Sequence, residues 1–118
     1  MANDFKRICT PSVGTSLAAI YTVPAGSASS ALETIVIGIT LANKTTTGIT
    51  GSIYIDNEDG SNDVYIVKDA TIPPGAALEV MSGNKLVLMN DGTNGDNLEA
   101  LASAANSLDV TVSVLEDV

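Results

Sequence analysis

The longest alternation of apolar and polar side chains runs from Leu32 to Asn43, with the sequence LETIVIGITLAN. Successive side chains of a strand point to opposite faces, so one aliphatic stripe would contain Ile35, Ile37, Ile39 and Leu41. Burial of these four side chains would contribute about 6–12 kcal/mol before opposing terms, at about 1.5–3 kcal/mol each. The pattern predicts a central strand whose odd-numbered side chains lie in the core. A charge at Ile37 is therefore expected to unfold the domain.

Shorter segments of the same kind recur along the chain, separated by turn residues. Strands are predicted at 17–23, 32–43, 49–56, 64–68, 76–81, 85–89 and 108–116. A further strand is predicted at 98–105, where a short helix is the alternative. Short strands at this spacing, with no 20–50-residue repeat, are typical of an all-β, antiparallel β-sandwich or jelly roll of seven to nine short strands.

Two pairings follow from turn signals. The segment 49–56 follows the central strand after a short polar connection, which predicts that the two pair as half of a meander. The tripeptide Ser82-Gly83-Asn84 between 76–81 and 85–89 predicts a hairpin.

Residues 1–13 show no apolar periodicity, and Pro11 within them disfavours both helix and strand. They are predicted to form an extended N-terminal arm before a single β-sandwich domain at 14–118. The arm contains the only Phe and the only Arg of the chain. Because aromatic residues and Arg are enriched at interfaces, the candidate interface residues are Phe5, Lys6, Arg7 and Ile8. A locally docked terminus is the alternative.

Composition excludes several classes of chemistry. The chain has no His and a single Cys, Cys9, so it has no Ser-His-Asp triad, no His-ligated metal and no internal disulfide. With 14 acidic and 5 basic residues the formal net charge is −9, and such a surface repels nucleic acid and anionic lipid. No apolar run approaches the ~20 residues of a membrane span. The start, MANDFKRIC, lacks the apolar region of a secretory signal, so synthesis in a cytoplasm without classical export is expected.

Carboxylates cluster in one loop, at Asp56, Glu58, Asp59 and Asp63. They form a candidate calcium loop, although an EF-hand alignment on Gly60 fails because it places Ile55 at the first ligand position. An exposed hairpin tip is the favoured interpretation of this loop. No catalytic residue, cofactor or other metal site is predicted.

Three tyrosines are the remaining candidates for ligand binding. Tyr21, Tyr54 and Tyr65 all fall on predicted strands, where packing at the edge of the core is the ordinary role. A sugar-binding surface would need all three on one face.

Four segments of the chain carry a resemblance to known proteins through their strand and turn patterns. They are Ile20–Gly26 (IYTVPAG), Thr34–Asn43 (TIVIGITLAN), Ile72–Glu79 (IPPGAALE) and Leu108–Glu116 (LDVTVSVLE). In this order they resemble the small all-β virion structural proteins of tailed bacteriophages, including T4-like and other cyanophages. The resemblance covers nearly the whole chain from about Gly14.

This resemblance implies a component of the virion, assembled in the host cytoplasm, and no enzyme. The expected function is a capsid decoration or cement protein that stabilises the head. It would be a homo-oligomer bound to other virion proteins, with the major capsid protein as the favoured partner. A tail, baseplate or fibre-attachment adaptor is the first alternative, with tail proteins as partners. A carbohydrate-binding module is the second alternative.

Overall fold

The computed structural model describes residues 3–81 and 85–117, and within them the chain is almost entirely β-structure. One short 3-10 turn occurs, at Ser27–Ser29. The strands are β1 Asn3–Val13, β2 Ala18–Thr22, β3 Leu32–Asn43, β4 Ile49–Asp56, β5 Val64–Ile72, β6 Ala77–Glu79, β7 Leu86–Asn90, β8 Asn97–Ala102 and β9 Leu108–Asp117. The predicted all-β class and the upper strand number, nine, are confirmed. None of the helices in the described part of the chain has the length and apolar character needed to cross a membrane.

The strands form two antiparallel sheets that pack as a sandwich. Sheet A has the order β1-β9-β3, with β6 and β7 end to end along the far edge of β3. Sheet B has the order β2-β8-β4-β5. The pairs β4–β5, β3–β6/β7, β2–β8 and β1–β9 are nested, like one long hairpin that has been folded over. With β6 and β7 counted as one position, these are the eight positions of a jelly roll.

The core lies between the sheets and is aliphatic. The alternation in β9 points Val110, Val112 and Val114 inward, where they are almost fully buried. Sheet B supplies Ile53, Leu98 and Ala100 from its facing side. The one-sided pattern predicted for 108–116 is confirmed, and it extends to an unexpected buried carboxylate, Glu116.

A β-bulge interrupts the predicted aliphatic stripe of β3. Val36 pairs with Val114, and Gly38 pairs with the adjacent residue of β9, Ser113. Ile37, between Val36 and Gly38, is therefore an extra residue with no partner on β9. A bulge of this kind changes which side chains face the core. Ile39 is fully buried, whereas Ile37 is 44% exposed. The even-numbered Thr34 and Val36 are buried before the bulge, and the odd-numbered Ile39 and Leu41 are buried after it. The prediction that Ile35 and Ile37 lie in the core is therefore wrong, whereas the prediction for Ile39 and Leu41 is confirmed.

Strand β4 has the predicted bounds but not the predicted partner. It belongs to sheet B, between β8 and β5, whereas β3 belongs to sheet A. The polar connection 44–48 therefore crosses from one sheet to the other, and the predicted meander is wrong. Periodicity specifies which face of a strand is buried, and β3 and β4 bury their apolar faces against each other across the core.

The predicted hairpin between β6 and β7 is also wrong. Both strands pair antiparallel with β3, β6 at Thr40–Ala42 and β7 at Leu32–Val36, so they run in the same direction. The tripeptide Ser82-Gly83-Asn84 lies outside the described residues.

The predicted arm forms the edge strand of sheet A. Strand β1 pairs with β9 from Asn3 to Val13, with a register shift between Thr10 and Val13. Pro11 lies in that shift and on an edge strand, where the missing N–H interrupts no continuous ladder. Ser12 there has a positive φ of 59°, and its N–H donates to Asp109 Oδ1 at 2.9 Å. Pro11 thus interrupts the strand instead of excluding it.

Candidate functional site

Strand β1 divides the four predicted interface residues between two faces. Phe5 and Arg7 point outward, away from the core. Lys6 and Ile8 lie on the core side, Lys6 against Glu116 and Ile8 against the apolar core. Phe5 and Arg7 are therefore placed to contact another protein from the outer face, whereas Lys6 is half-exposed at the edge of the sheet and Ile8 packs inward.

Phe5 begins a row of apolar side chains across the outer face of sheet A. It pairs with Leu115 of β9, Leu115 pairs with Ile35 of β3, and Ile35 pairs with Val87 of β7. Side chains of directly paired residues have Cβ atoms about 4.5–5.5 Å apart, so the row is continuous. Phe5 is 74% exposed and Val87 is 54% exposed at its two ends. This apolar row consists of Phe5, Leu115, Ile35 and Val87.

Exposed apolar side chains also flank the apolar row. Met89 lies two residues beyond Val87 on the same face of β7. Ile37 is turned outward by the bulge in β3. Contiguous exposed apolar surface of this kind marks a site of interaction in soluble proteins.

Two cations border the apolar row. Arg7 follows Phe5 on the outer face of β1, and the exposed Lys85 immediately precedes β7, two residues before Val87. Within the described residues neither forms an ion pair, unlike the other three cations. Those three pair as Lys6–Glu116 at 2.9 Å, Lys44–Asp109 at 2.9 Å and Lys68–Asp69 at 3.2 Å.

Beneath the edge of sheet A lies a buried polar cluster. The Tyr21 hydroxyl donates to Glu116 Oε2 and lies 3.0 Å from Thr34 Oγ1. Lys6 Nζ lies 2.9 Å from the other carboxylate oxygen, Glu116 Oε1. The hydrogen bond to Glu116 and its negative charge raise the pKa of Lys6, while burial, and then the Glu116 carboxylate, raise the pKa of Tyr21. The contact between Lys6 of β1 and the buried Glu116 of β9 thus ties β1 to the core.

The candidate calcium loop binds its own backbone. Asp63 accepts from the Asn57 N–H at 2.8 Å and from the Tyr54 hydroxyl at 3.0 Å. Asp59 accepts from the Ser61 N–H at 2.8 Å, and this bond lowers the pKa of Asp59. No group of three or more metal-ligating side chains converges in the part of the chain that the structure describes. The calcium site stays a prediction, and the geometry provides no converging set of oxygens for it.

Glu58 of the same loop has one carboxylate oxygen, Oε2, that is buried and unpartnered, although the side chain as a whole is partly exposed. Desolvation raises the pKa of Glu58, and the nearby carboxylates of Asp96, Asp91 and Asp59 raise it further.

Asp96, at the end of the loop between β7 and β8, is a buried carboxylate. Its Oδ1 accepts from the Glu58 N–H at 2.7 Å and its Oδ2 from the Met89 N–H at 2.9 Å. It thereby joins the loop after β4 to the strand β7, and both of its oxygens are used in structure.

The three tyrosines do not share a surface. Tyr21 is buried between the sheets, whereas Tyr54 and Tyr65 pair on the outer face of sheet B. The rings of Tyr54 and Tyr65 have centroids 5.0 Å apart at an angle of 62°, an edge-to-face contact. The condition for a three-tyrosine sugar-binding surface is therefore not met.

Cys9 is exposed on the outer face of β1. It lines a shallow depression of about 220 Å³ with Thr10, Pro11, Asp109, Val110 and Thr111. A catalytic Cys needs a neighbouring base to form its thiolate, and the chain has no His.

Comparisons of this chain with protein-family models, with curated proteins and with solved structures gave no match.

Proposed function

We propose that this chain is a non-enzymatic structural protein of a tailed-phage particle, acting as a capsid decoration protein that stabilises the head. The phage assignment rests on the sequence resemblance. The observation that supports an assembly role is the apolar row, which crosses four strands of sheet A and stays exposed in the single chain. Through the apolar row the protein associates with neighbouring proteins of the particle, the major capsid protein being the favoured partner.

The composition of this face supports a protein partner. Interfaces combine an apolar centre with a polar rim and are enriched in aromatic residues, Met and Arg. The outer face of sheet A presents Phe5, Met89 and Arg7 together. On a protein with a net charge of −9, Arg7 and Lys85 also reduce the repulsion that another acidic protein would meet there.

A tail, baseplate or fibre-attachment adaptor is the alternative within the particle, because the outer face of sheet A could equally bind a tail protein. A carbohydrate-binding role is less favoured. Sugar rings stack on flat aromatic surfaces, and the edge-to-face contact of Tyr54 and Tyr65 presents no such flat pair.

Co-sedimentation with phage particles tests the proposal. The purified protein is mixed with expanded, empty heads of the phage that encodes it and, separately, with tails. Sedimentation with heads is expected; sedimentation with tails alone would favour the adaptor, and sedimentation with neither would overturn the proposal.

A pair of variants tests the role of the apolar row in that experiment. Val87→Asp places a charge in the row and is expected to reduce binding to heads about tenfold or more. Leu17→Asp is the matched control, because Leu17 is 46% exposed but lies in the connection between β1 and β2. Equal binding by both variants would remove the apolar row from the proposal.

A further inference from the structure

A second row of paired residues crosses sheet B on its outer face. Ala19 of β2 pairs with Glu99 of β8, Glu99 pairs with Tyr54 of β4, and Tyr54 pairs with Tyr65 of β5. Their chain neighbours Ile20, Ala100 and Ile53 are buried, so by alternation this tyrosine row, consisting of Ala19, Glu99, Tyr54 and Tyr65, points to solvent.

The tyrosine row lies in an acidic environment. The pKa of Glu99 is raised by desolvation and then by the charges of Asp56 and Asp63, which places those carboxylates close enough to interact with it. The Tyr54 hydroxyl donates to Asp63 at 3.0 Å. The cation near the row is Lys68, 5.4 Å from the Tyr65 ring centroid, and Asp69 pairs with it at 3.2 Å.

The large apolar side chains exposed in the described part of the chain lie mostly on the two sheets. Four are on the outer face of sheet A and two, Val64 and Tyr65, are on the edge strand of sheet B, while Leu17 lies in a connection. The four on sheet A are Phe5, Ile37, Val87 and Met89.

The two outer faces differ in charge. Sheet A brings Arg7 and Lys85 to the border of its apolar row, and neither forms an ion pair within residues 3–81 and 85–117. The carboxylates on this face are Glu33 of β3 and Glu79 of β6, and Glu79 accepts a hydrogen bond from Thr40. Sheet B surrounds its tyrosines with carboxylates. Stacking two copies through sheet B would bring like charges together, whereas stacking sheet A on sheet B brings cations to carboxylates.

We propose that the apolar row of one copy docks on the tyrosine row of the next, so that this chain associates head to tail. This inference goes beyond the proposed function, because it gives the apolar row a second partner, another copy of this chain, beside the major capsid protein. Phe5 and Val87 would pack against Tyr54 and Tyr65, and Arg7 would lie over an aromatic, acidic surface of the kind that stabilises guanidinium groups.

The two faces of a sandwich point in opposite directions, so this contact is heterologous. Each copy in a pair retains one unused row, and further copies add until a ring closes or an open array forms. A contact of this kind would let copies lie side by side on a repeating shell.

Sedimentation equilibrium of the purified protein without heads tests the inference, over about 1 µM to about 1 mM, the range of weak to moderate protein–protein affinities. The wild-type protein is expected to associate with increasing concentration. Val87→Asp on sheet A and Tyr65→Asp on sheet B are each expected to weaken association about tenfold or more, and Leu17→Asp is expected to leave it unchanged.

Mixing the two variants separates head-to-tail association from a symmetric dimer. Tyr65→Asp keeps an intact apolar row and Val87→Asp keeps an intact tyrosine row, so the mixture is expected to form a one-to-one heterodimer and nothing larger. A wild-type protein that stays monomeric throughout the range would overturn the inference. A mixture that fails to form the heterodimer would also overturn it. So would weakened association in only one of the two variants, because a symmetric contact through a single sheet would give that result.

The outcomes also separate this inference from the proposed function. Binding of a monomeric protein to heads would contradict head-to-tail association and leave the decoration role standing. Head-to-tail association of a protein that does not bind phage heads would contradict the decoration role and leave this inference standing.

Discussion

Lys6 Nζ lies 2.9 Å from Glu116 Oε1, and this contact joins the first strand of the chain to the last. Glu116 is almost fully buried at the end of β9, whereas the Lys6 side chain is half-exposed on the edge strand β1. A buried carboxylate that loses its cation is destabilising because it keeps the cost of desolvation. The contact therefore predicts a measurable role for Lys6 in stability.

Lys6→Ala is expected to lower the free energy of unfolding by about 2 kcal/mol. The value lies below the ~3–5 kcal/mol of a fully buried pair because Lys6 is partly screened by solvent. Urea unfolding measures it, with Lys44→Ala as the control. Both side chains of the Lys44–Asp109 pair are exposed, so that variant should lose less than about 1 kcal/mol. Equal losses in the two variants would contradict this account of Glu116.

Stability is expected to fall at alkaline pH. The pKa values of Tyr21 and Lys6 are raised in the folded state above their ordinary values of 10.0 and 10.5. Above about pH 10 the unfolded chain therefore binds fewer protons at these groups than the folded chain, and the free energy of unfolding decreases. The stability that Tyr21 and Lys6 contribute is fully present below the pKa values of the unfolded state. It is lost as the pH rises through their pKa values in the folded state.

Tyr21→Phe separates the two contributions. The variant lacks the hydroxyl, so its urea midpoint should decline less steeply between about pH 9 and pH 11 than that of the wild type. Slopes that coincide would show that Tyr21 does not titrate with unfolding.

The bulge in β3 predicts opposite outcomes for two neighbouring isoleucines. Ile37 is 44% exposed and Ile39 is fully buried. Ile37→Asp should leave the protein folded, with a loss within about 1 kcal/mol, as is usual for surface substitutions. Ile39→Asp should unfold it, because an unpaired charge would be buried in the core. Circular dichroism and thermal melting compare the two, and an unfolded Ile37→Asp would show that the bulge is misplaced.

Two glycines with positive φ predict the cost of a close backbone approach. Gly60 (φ 78°) has open space around the position of a Cβ atom, whereas at Gly92 (φ 102°) a Cβ atom would clash with the carbonyl oxygen of Ser29. Gly60→Ala should cost about 1 kcal/mol, from backbone strain alone. Gly92→Ala should cost about 3 kcal/mol or more, because the loop must also move away from Ser29. Similar unfolding midpoints for the two variants would contradict the packing of this loop.

Local patterns predicted local structure well. Strands β3 and β4 have the bounds that alternation predicted, and the inward face of β9 carries the expected valines. Each of these results depends only on neighbouring residues. The bulge at Ile37 was not predicted, although the Gly that follows it, Gly38, is a common sign of one.

The sequence patterns did not predict which strands pair with each other. The meander of β3 with β4 and the hairpin of β6 with β7 were natural first choices because neighbours in sequence usually pair. In this nested topology the partners of β1 and β2 are instead β9 and β8. The apolar row shows the same limit, since its four residues come from four strands and only Phe5 was selected from the sequence as an interface residue.

The nesting of the strands sets an order in which the fold can be completed. The chain that separates β4 from β5 is short, whereas almost the whole chain separates β1 from β9, and closing a longer loop costs more conformational entropy. We expect the β4–β5 pair to form early and the β1–β9 pair to form last. During synthesis β1 can pair with β9 only after the final strand has been made, so Phe5 and Leu115 come together only at that stage. A truncated chain would therefore lack the continuous apolar row, so only finished copies would be competent to assemble.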